Sequence, residues 1–167
     1  MIALGQAQDA AHALKCELAG EVLRCFGRLR LQVTGWSMLP AIWPGDTLEL
    51  TPATCTDVSE GDIVLFRRHA RLFAHRVLRT NESTIVTRGD ALPYSDSAVG
   101  ENEVLGRVIS VDRNGKCIRP SGRLSLAQRA IAIVVRSSDF AARVVVGVHG
   151  ICKATQVKLE IHRETLA

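Results

Sequence analysis

Short β-rich segments separated by turn residues occupy the middle of the chain, and this pattern constrains the fold more than any other feature. Arg28–Thr34 alternates apolar and polar side chains with a period of two, which is typical of a half-buried strand. Further β-rich segments, bounded by Gly, Pro, Asn and Asp, are Thr47–Thr51, Asp62–Arg67, Leu72–Arg79, Thr84–Arg88 and Val104–Asp112. We therefore expect a compact, mostly β domain over residues 28–120.

A helix is predicted before this domain. Apolar side chains recur every four residues within Gln6–Gly27, at Leu14, Leu18, Val22 and Phe26. This spacing is that of an amphipathic helix with these four residues on its apolar face, and Gly27 is its expected C-terminal cap. The fold class implied is α+β, with residues 1–27 forming a helical N-terminal part.

Residues 121–167 form a third part with a different composition. Leu124–Val135 and Phe140–Val148 are rich in Ala, Val and Ile with Arg at intervals, so both could be amphipathic helices. The Val-rich stretch within the second segment could equally be a strand. The basic and apolar pattern permits contact with a membrane surface, but we expect this part to pack against the β domain.

Composition excludes several classes of protein. A length of 167 residues corresponds to about one domain, and a net charge of +4 does not call for a nucleic-acid partner. The five Cys are scattered without a C-x-x-C pair, so reduced thiols are expected rather than a disulfide framework. His149, Cys152 and His162 have no recognised metal-ligand spacing, and neither a metal nor another cofactor is expected.

No targeting or membrane-spanning segment is evident in the sequence. Met1–Gly20 lacks both the basic start and the continuous apolar run of a signal peptide. The nearest candidate for a membrane span, Ala127–Ala154, is interrupted by Arg136, Asp139 and Arg143. We expect a cytoplasmic protein or one that lies peripherally on the cytoplasmic membrane.

Ser37 is the candidate nucleophile. It follows the end of the first predicted strand and lies in the segment Gly35-Trp36-Ser37-Met38-Leu39-Pro40. A nucleophilic Ser needs an accessible hydroxyl on a rigid turn, with free backbone N–H groups nearby. A simple turn or capping role is the alternative for an isolated Gly-x-Ser. Trp36, Met38 and Pro40 are apolar for a turn and would suit the wall of a cleft that binds an extended peptide.

His75 is the candidate general base. It lies within the predicted strand Leu72–Arg79, where alternation places it on the same face as Phe73 and Val77. An imidazole titrates near neutral pH and can accept the proton of a hydroxyl nucleophile. A satisfied core histidine is the alternative interpretation. His69, in contrast, lies in a predicted solvated hairpin turn.

Carboxylates that could orient this imidazole follow the strand Thr84–Arg88. Asp90 and Asp96 both lie in the loop after it, where functional groups often occur. A turn in which Asp90 hydrogen-bonds its own backbone is the alternative.

The order of these blocks resembles the signal peptidase I family, in the branch of endoplasmic-reticulum, archaeal and SipW-type enzymes. The matching blocks are Gly-x-Ser-Met-x-Pro at the nucleophile, then Gly-Asp-Ile-Val-Leu-Phe, Ala-His-Arg-Val, Thr-Arg-Gly-Asp-Ala and Leu-Gly-Arg-Val. They span about Val33 to Val111, roughly half of the chain. The fold implied is the compact β domain shared by signal peptidases and LexA-type repressors.

This resemblance implies a role for each candidate residue. Ser37 would be the nucleophile, and His75 would occupy the place that Lys holds in the bacterial enzymes. Asp96 matches the carboxylate that supports the His, and Asp90 matches a second acidic position with a structural or supporting role. The backbone N–H of Ser37 would hold the oxyanion. Some relatives add a hydroxyl two residues earlier, and Gly35 stands there in this chain, so that donor is absent unless Thr34 supplies it.

The distribution of Lys supports a Ser-His rather than a Ser-Lys mechanism. No Lys lies between Lys15 and Lys116. A Ser-Lys dyad needs a Lys that loses its proton near neutral pH, and Arg cannot do this. A peptidase of this type would therefore have to use His75 as its base.

Two rival functions remain open at this point. A LexA-like self-cleaving regulator would carry a DNA-binding domain before its catalytic core, and only one helix is predicted before Gly35. A non-catalytic module could keep the fold and bind an extended peptide by strand addition. The membrane helices that usually precede the Ser block of signal peptidases have no counterpart in the predicted helix, so the physiological substrate stays open.

Overall fold

The computed structural model describes residues 2–137, with side chains described for residues 9–136. Two helices and eight strands follow in the order α1 (Ile2–Phe26), β1 (Leu29–Gln32), β2 (Thr47–Pro52), β3 (Ile63–Arg68), β4 (Arg71–Thr80), β5 (Thr84–Arg88), β6 (Val99–Gly100), β7 (Val104–Arg113), β8 (Lys116–Ile118) and α2 (Leu126–Ser137). The chain is thus mostly antiparallel β with a helix before and a helix after the sheet. The predicted segment Phe140–Val148 lies outside the described residues.

The strands form one antiparallel sheet with the order β1-β2-β7-β3-β4-β5-β6, and β8 pairs with the outer part of β7. The path from β3 to β5 is a meander, so β4 is hydrogen-bonded on both sides. Strand β4 carries His75, and this central position fixes its backbone within the sheet.

All six predicted strands are present, and their ends differ from the predicted ends by at most two residues. The sequence analysis missed β6 and β8. The Asn114-Gly115 pair could have revealed strand β8 in the sequence. Both residues have positive φ, at 54° and 77°, in the hairpin turn that joins β8 to β7. Asn-Gly between two apolar segments is a strong signal for such a turn.

The apolar face predicted for α1 is wrong. Leu14, Leu18 and Phe26 are 65%, 60% and 78% exposed, whereas Cys16, Ala19 and Leu23 are buried. The cause is close packing of the helix on the sheet through small residues: an added Cβ at Gly20 would lie 3.6 Å from a methyl group of Leu105. Leu23 joins the main core cluster, whose other members are Met38, Ile42, Leu48, Leu50, Ile63, Leu65, Val108 and Val111.

Gly27 ends α1 as predicted. Its φ is +67° and its N–H donates to the carbonyl of Leu23 at 2.9 Å, which is the left-handed C-terminal arrangement that glycine favours. No helix among residues 2–137 is both long and apolar enough to cross a bilayer.

Helix α2 begins with a reciprocal cap and packs beside the candidate nucleophile. The Ser125 hydroxyl accepts from the Gln128 backbone N–H at 3.2 Å, and the Gln128 side chain accepts from the Ser125 backbone N–H at 2.9 Å. Val135 packs in a small cluster with Leu39 and Ala91. Residues on both sides of the candidate site therefore contact the same helix.

Candidate active site

Ser37 lies in the loop between β1 and β2, in a tight turn. The Leu39 N–H donates to the Trp36 carbonyl at 3.1 Å, and the Ser37 carbonyl accepts from the Ala91 N–H at 2.8 Å. The second bond ties the loop of Ser37 to the loop after β5. The Ser37 side chain is half-buried.

His75 is buried in the middle of β4, with 2% of its surface exposed. Its ring lies 5.8 Å from the rings of both Phe66 and Phe73, measured between centroids. The imidazole is thus packed between aromatic side chains in the interior of the sheet. The predicted common face of Phe73, His75 and Val77 is consistent with this arrangement.

The imidazole joins two candidate residues in one hydrogen-bonded chain. His75 Nδ1 lies 2.7 Å from Asp96 Oδ2, and His75 Nε2 lies 3.1 Å from Ser37 Oγ. A carboxylate can only accept, so Nδ1 carries the proton in the neutral ring and Nε2 is left as an acceptor. The Ser37 hydroxyl then donates to Nε2, which is the arrangement a general base needs before it removes that proton.

Asp96 is held by β5 as well as by His75. The Thr87 hydroxyl donates to Asp96 Oδ2 at 2.7 Å, and the Asp96 N–H donates to the Thr87 carbonyl at 2.8 Å. Burial alone raises the pKa of the Asp96 carboxyl, but hydrogen bonds from His75 and Thr87, with the positive charges of protonated His75 and of Arg68, outweigh it and lower that pKa below its ordinary value. Asp96 is therefore ionised at neutral pH.

Asp90 does not belong to this hydrogen-bonded chain. Its carboxylate makes two parallel bonds with the guanidinium of Arg76, both at 2.8 Å, and both side chains are buried. The backbone carbonyl of Asp90 accepts from Arg136 of α2 at 2.8 Å. The structure thus gives Asp90 a supporting place beside the site, in contact with the residue next to His75 in the sequence.

Gly89 makes a close approach that only glycine permits. A Cβ at this position would lie 2.6 Å from the Ser37 carbonyl oxygen and 3.0 Å from two side-chain atoms of Leu92. Gly89 therefore sets the distance between the loop after β5 and the loop of Ser37.

The residues predicted to line a cleft occupy two different environments. Trp36 is 37% exposed beside Ser37, but Met38 is 3% exposed and belongs to the main core. Pro40 is also buried, and its carbonyl accepts from the Trp43 indole N–H at 3.0 Å. Of these three residues Trp36 offers surface, and the other two anchor the turn that presents Ser37.

Gly35 and the backbone N–H of Ser37 were predicted to lie at the oxyanion position. An added Cβ at Gly35 would meet no atom within 4 Å, so the space two residues before Ser37 is open. Within residues 2–137 no acceptor takes the backbone N–H of Ser37. That N–H is thus available to donate to a developing negative charge.

The sequence analysis missed Thr87 and the pairing of Arg76 with Asp90. Both belong to motifs that were quoted, Thr-Arg-Gly-Asp-Ala and Ala-His-Arg-Val, but no spacing rule joins residues on neighbouring strands. The pairing of β4 with β5 in this register supplies that link, since Val77 lies opposite Thr87 and Arg76 opposite Arg88.

Metal-ligating groups do not gather at this site. Residues 2–137 contain no group of three or more His, Cys, Asp or Glu side chains that could share a metal ion. His149, Cys152 and His162 lie outside that range.

Comparisons with known proteins add no assignment to this geometry. No protein-family model matches the sequence, and a search of curated proteins finds no match.

Proposed function

We propose that this chain is a serine endopeptidase of the signal peptidase and LexA-like type, with Ser37 as nucleophile and His75 as general base. The observation that carries the proposal is the continuous chain from Ser37 Oγ through the His75 ring to Asp96 Oδ2, with heavy-atom distances of 3.1 Å and 2.7 Å. Its three members come from three separate segments of the sequence. The antiparallel sheet with flanking helices is compatible with the compact β fold of that superfamily.

The proposed reaction follows from this geometry. Ser37 Oγ attacks the carbonyl carbon of a peptide bond while His75 Nε2 takes the hydroxyl proton. The Ser37 N–H donates to the oxyanion of the tetrahedral intermediate. His75 then gives its proton to the leaving amine as the carbon–nitrogen bond breaks, which leaves an acyl ester on Ser37. Water, deprotonated by His75, hydrolyses this ester and restores the hydroxyl.

Asp96 supports both proton transfers without taking the proton itself. Its carboxylate accepts from His75 Nδ1, holds the tautomer that leaves Nε2 unprotonated, and stabilises the imidazolium that forms. The lowered pKa of Asp96 keeps this charge in place at neutral pH.

The absence of Lys from the catalytic region gives independent support. No Lys lies between Lys15 and Lys116, so none of the elements that surround Ser37 from β1 to β7 supplies one. The substrate proposed is an extended peptide or protein segment, and cytoplasmic location or peripheral contact with a membrane surface remains part of the proposal.

The test is covalent labelling of Ser37 by a fluorophosphonate probe, followed by intact-mass spectrometry and peptide mapping. We expect one label on the wild-type chain, and loss of labelling in Ser37→Ala and in His75→Ala with the fold retained by circular dichroism. Ser83→Ala and His69→Asn are matched controls, since both residues are exposed in turns away from the site, and both should label normally.

A peptide library incubated with the same five proteins separates the rival functions. Cleavage that requires Ser37 and His75 supports an endopeptidase. Peptide binding without labelling or cleavage would indicate a binding module and overturn the proposal, and scission confined to the chain itself would indicate a self-cleaving regulator.

A further inference from the structure

Thr87 holds the Asp96 residue at two points. Its hydroxyl donates to Asp96 Oδ2 at 2.7 Å, and its carbonyl accepts from the Asp96 N–H at 2.8 Å. Thr87 itself is fully buried in β5, opposite Val77 of β4. His75 lies two residues before Val77 in the same strand, so the side chains of His75 and Thr87 share one face of the sheet.

Two donors converge on a single oxygen of the carboxylate. His75 Nδ1 and the Thr87 hydroxyl both lie 2.7 Å from Asp96 Oδ2, and within residues 2–137 no group donates to Oδ1. The terminal torsion of an Asp side chain is broad, so one hydrogen bond alone leaves the carboxylate plane free to rotate. A second donor at the same oxygen restricts that rotation and holds the oxygen against the imidazole N–H.

The hydrogen bond from Thr87 to Asp96 is shielded from water, whereas the carboxylate itself is partly exposed. Asp96 is half-buried and keeps 21% of its side chain exposed, whereas the side chain of His75 is 3% exposed. Water can reach the carboxylate and compete for it from the open side, but it cannot replace the Thr87 hydroxyl, which lies in the sheet. Charge-assisted hydrogen bonds of this kind are about twice as strong as neutral ones.

We propose that Thr87 is a positioning residue for the reaction, acting through Asp96 to hold the His75 imidazole in the tautomer and orientation that serve Ser37. The inference rests on the proposed serine endopeptidase. Thr87 is fully buried and makes no hydrogen bond to Ser37, so its hydroxyl acts on the reaction through Asp96.

The test compares two substitutions that differ in one hydroxyl. Thr87→Val keeps the shape of the side chain and removes the donor, and Thr87→Ser keeps the donor. Thr84→Val is the matched control, because Thr84 lies on the same strand and its hydroxyl makes no hydrogen bond within the described residues. Each protein is labelled with the fluorophosphonate probe, and the Asp96 carboxyl is titrated by carbon-13 NMR.

We expect Thr87→Val to lower the labelling rate by about 10- to 100-fold, the range that corresponds to loss of a hydrogen bond to a charged group, and to move the titration of Asp96 to higher pH. Thr87→Ser should restore most of the rate, and Thr84→Val should change neither quantity. Equal labelling of Thr87→Val and wild type would overturn the inference while leaving the endopeptidase in place.

The two proposals fail in different ways. If the wild-type chain takes no label and cleaves no peptide, the endopeptidase fails, and the positioning role fails with it even when the Asp96 titration moves. If Thr87→Val unfolds, the result for Thr87→Ser decides. A folded Thr87→Ser with a labelling rate at least half that of wild type supports the role of the hydroxyl. A folded Thr87→Ser that labels no faster than Ser37→Ala contradicts it.

Discussion

Replacing Gly89 by Ala should disrupt the site without removing any group that takes part in the chemistry. The new Cβ would lie 2.6 Å from the Ser37 carbonyl oxygen, and an ordinary contact begins near 3.4 Å. About 0.8 Å of separation must therefore be created. The methyl group cannot retreat, because side-chain atoms of Leu92 lie 3.0 Å away.

The loop of Ser37 has to absorb this displacement. The Ser37 carbonyl accepts from the Ala91 N–H at 2.8 Å, and the Ser37 hydroxyl lies 3.1 Å from His75 Nε2. A shift of this size takes the hydroxyl out of hydrogen-bond range, and a misplacement of about 1 Å costs roughly 100-fold in rate. Overpacking of this kind also lowers the free energy of unfolding by about 1–3 kcal/mol.

The assay is the rate of fluorophosphonate labelling, with urea unfolding measured on the same samples. Gly100→Ala is the control, since its Cβ would meet Glu103 at an ordinary 4.0 Å, and its stability should change by less than about 0.5 kcal/mol. Wild-type labelling by Gly89→Ala would refute the reasoning, because it would mean that the two loops separate freely.

Three further outcomes follow from contacts described above. Arg76→Met should lower the free energy of unfolding by about 3–5 kcal/mol, because it leaves the buried Asp90 carboxylate unpaired. In the same urea assay, the double variant Arg76→Met with Asp90→Leu should recover much of the lost free energy, and no recovery would contradict the pairing. The pKa of Asp96 is lowered in the folded chain, so ionised Asp96 stabilises the fold at pH values above its unfolded pKa of about 3.9, and this contribution is lost as the pH falls through the lower folded pKa. Asp96→Asn should therefore reduce the loss of unfolding free energy at acid pH, and an unchanged loss would contradict this. Leu23→Ala should cost about 2–5 kcal/mol and Leu14→Ala less than about 0.5 kcal/mol in thermal unfolding, and equal losses would contradict the face assigned to α1.

The strands were predictable because their signal is local. Period-two alternation and turn residues identified β1 to β5 and β7 with ends correct to two residues. The face of α1 was not predictable in the same way. Leu14, Leu18 and Phe26 dominate any count of hydrophobic side chains, but the sheet is approached by Cys16 and Ala19, whose value lies in their small size. The spacing of large apolar residues therefore does not predict a helix face that packs through small residues.

The candidate site likewise contains residues that could be predicted from sequence and residues that could not. Ser37, His75 and Asp96 were each singled out from sequence, and the structure places the His75 ring within hydrogen-bond distance of both Ser37 and Asp96. Thr87 and Arg76 were not, because their partners lie on a neighbouring strand or loop. Register between strands decides such contacts, and a single sequence specifies register only through turns and bulges.

The burial of His75 has a spectroscopic consequence. Its Nδ1 proton is held in a 2.7 Å bond to a carboxylate, and the side chain is 3% exposed, so exchange of that proton with water is slow. A proton in such a bond resonates far downfield of the amide region in a proton NMR spectrum. The line is a reporter of the assembled site that needs neither substrate nor probe, and it should disappear in Asp96→Asn while the sheet amides stay in place.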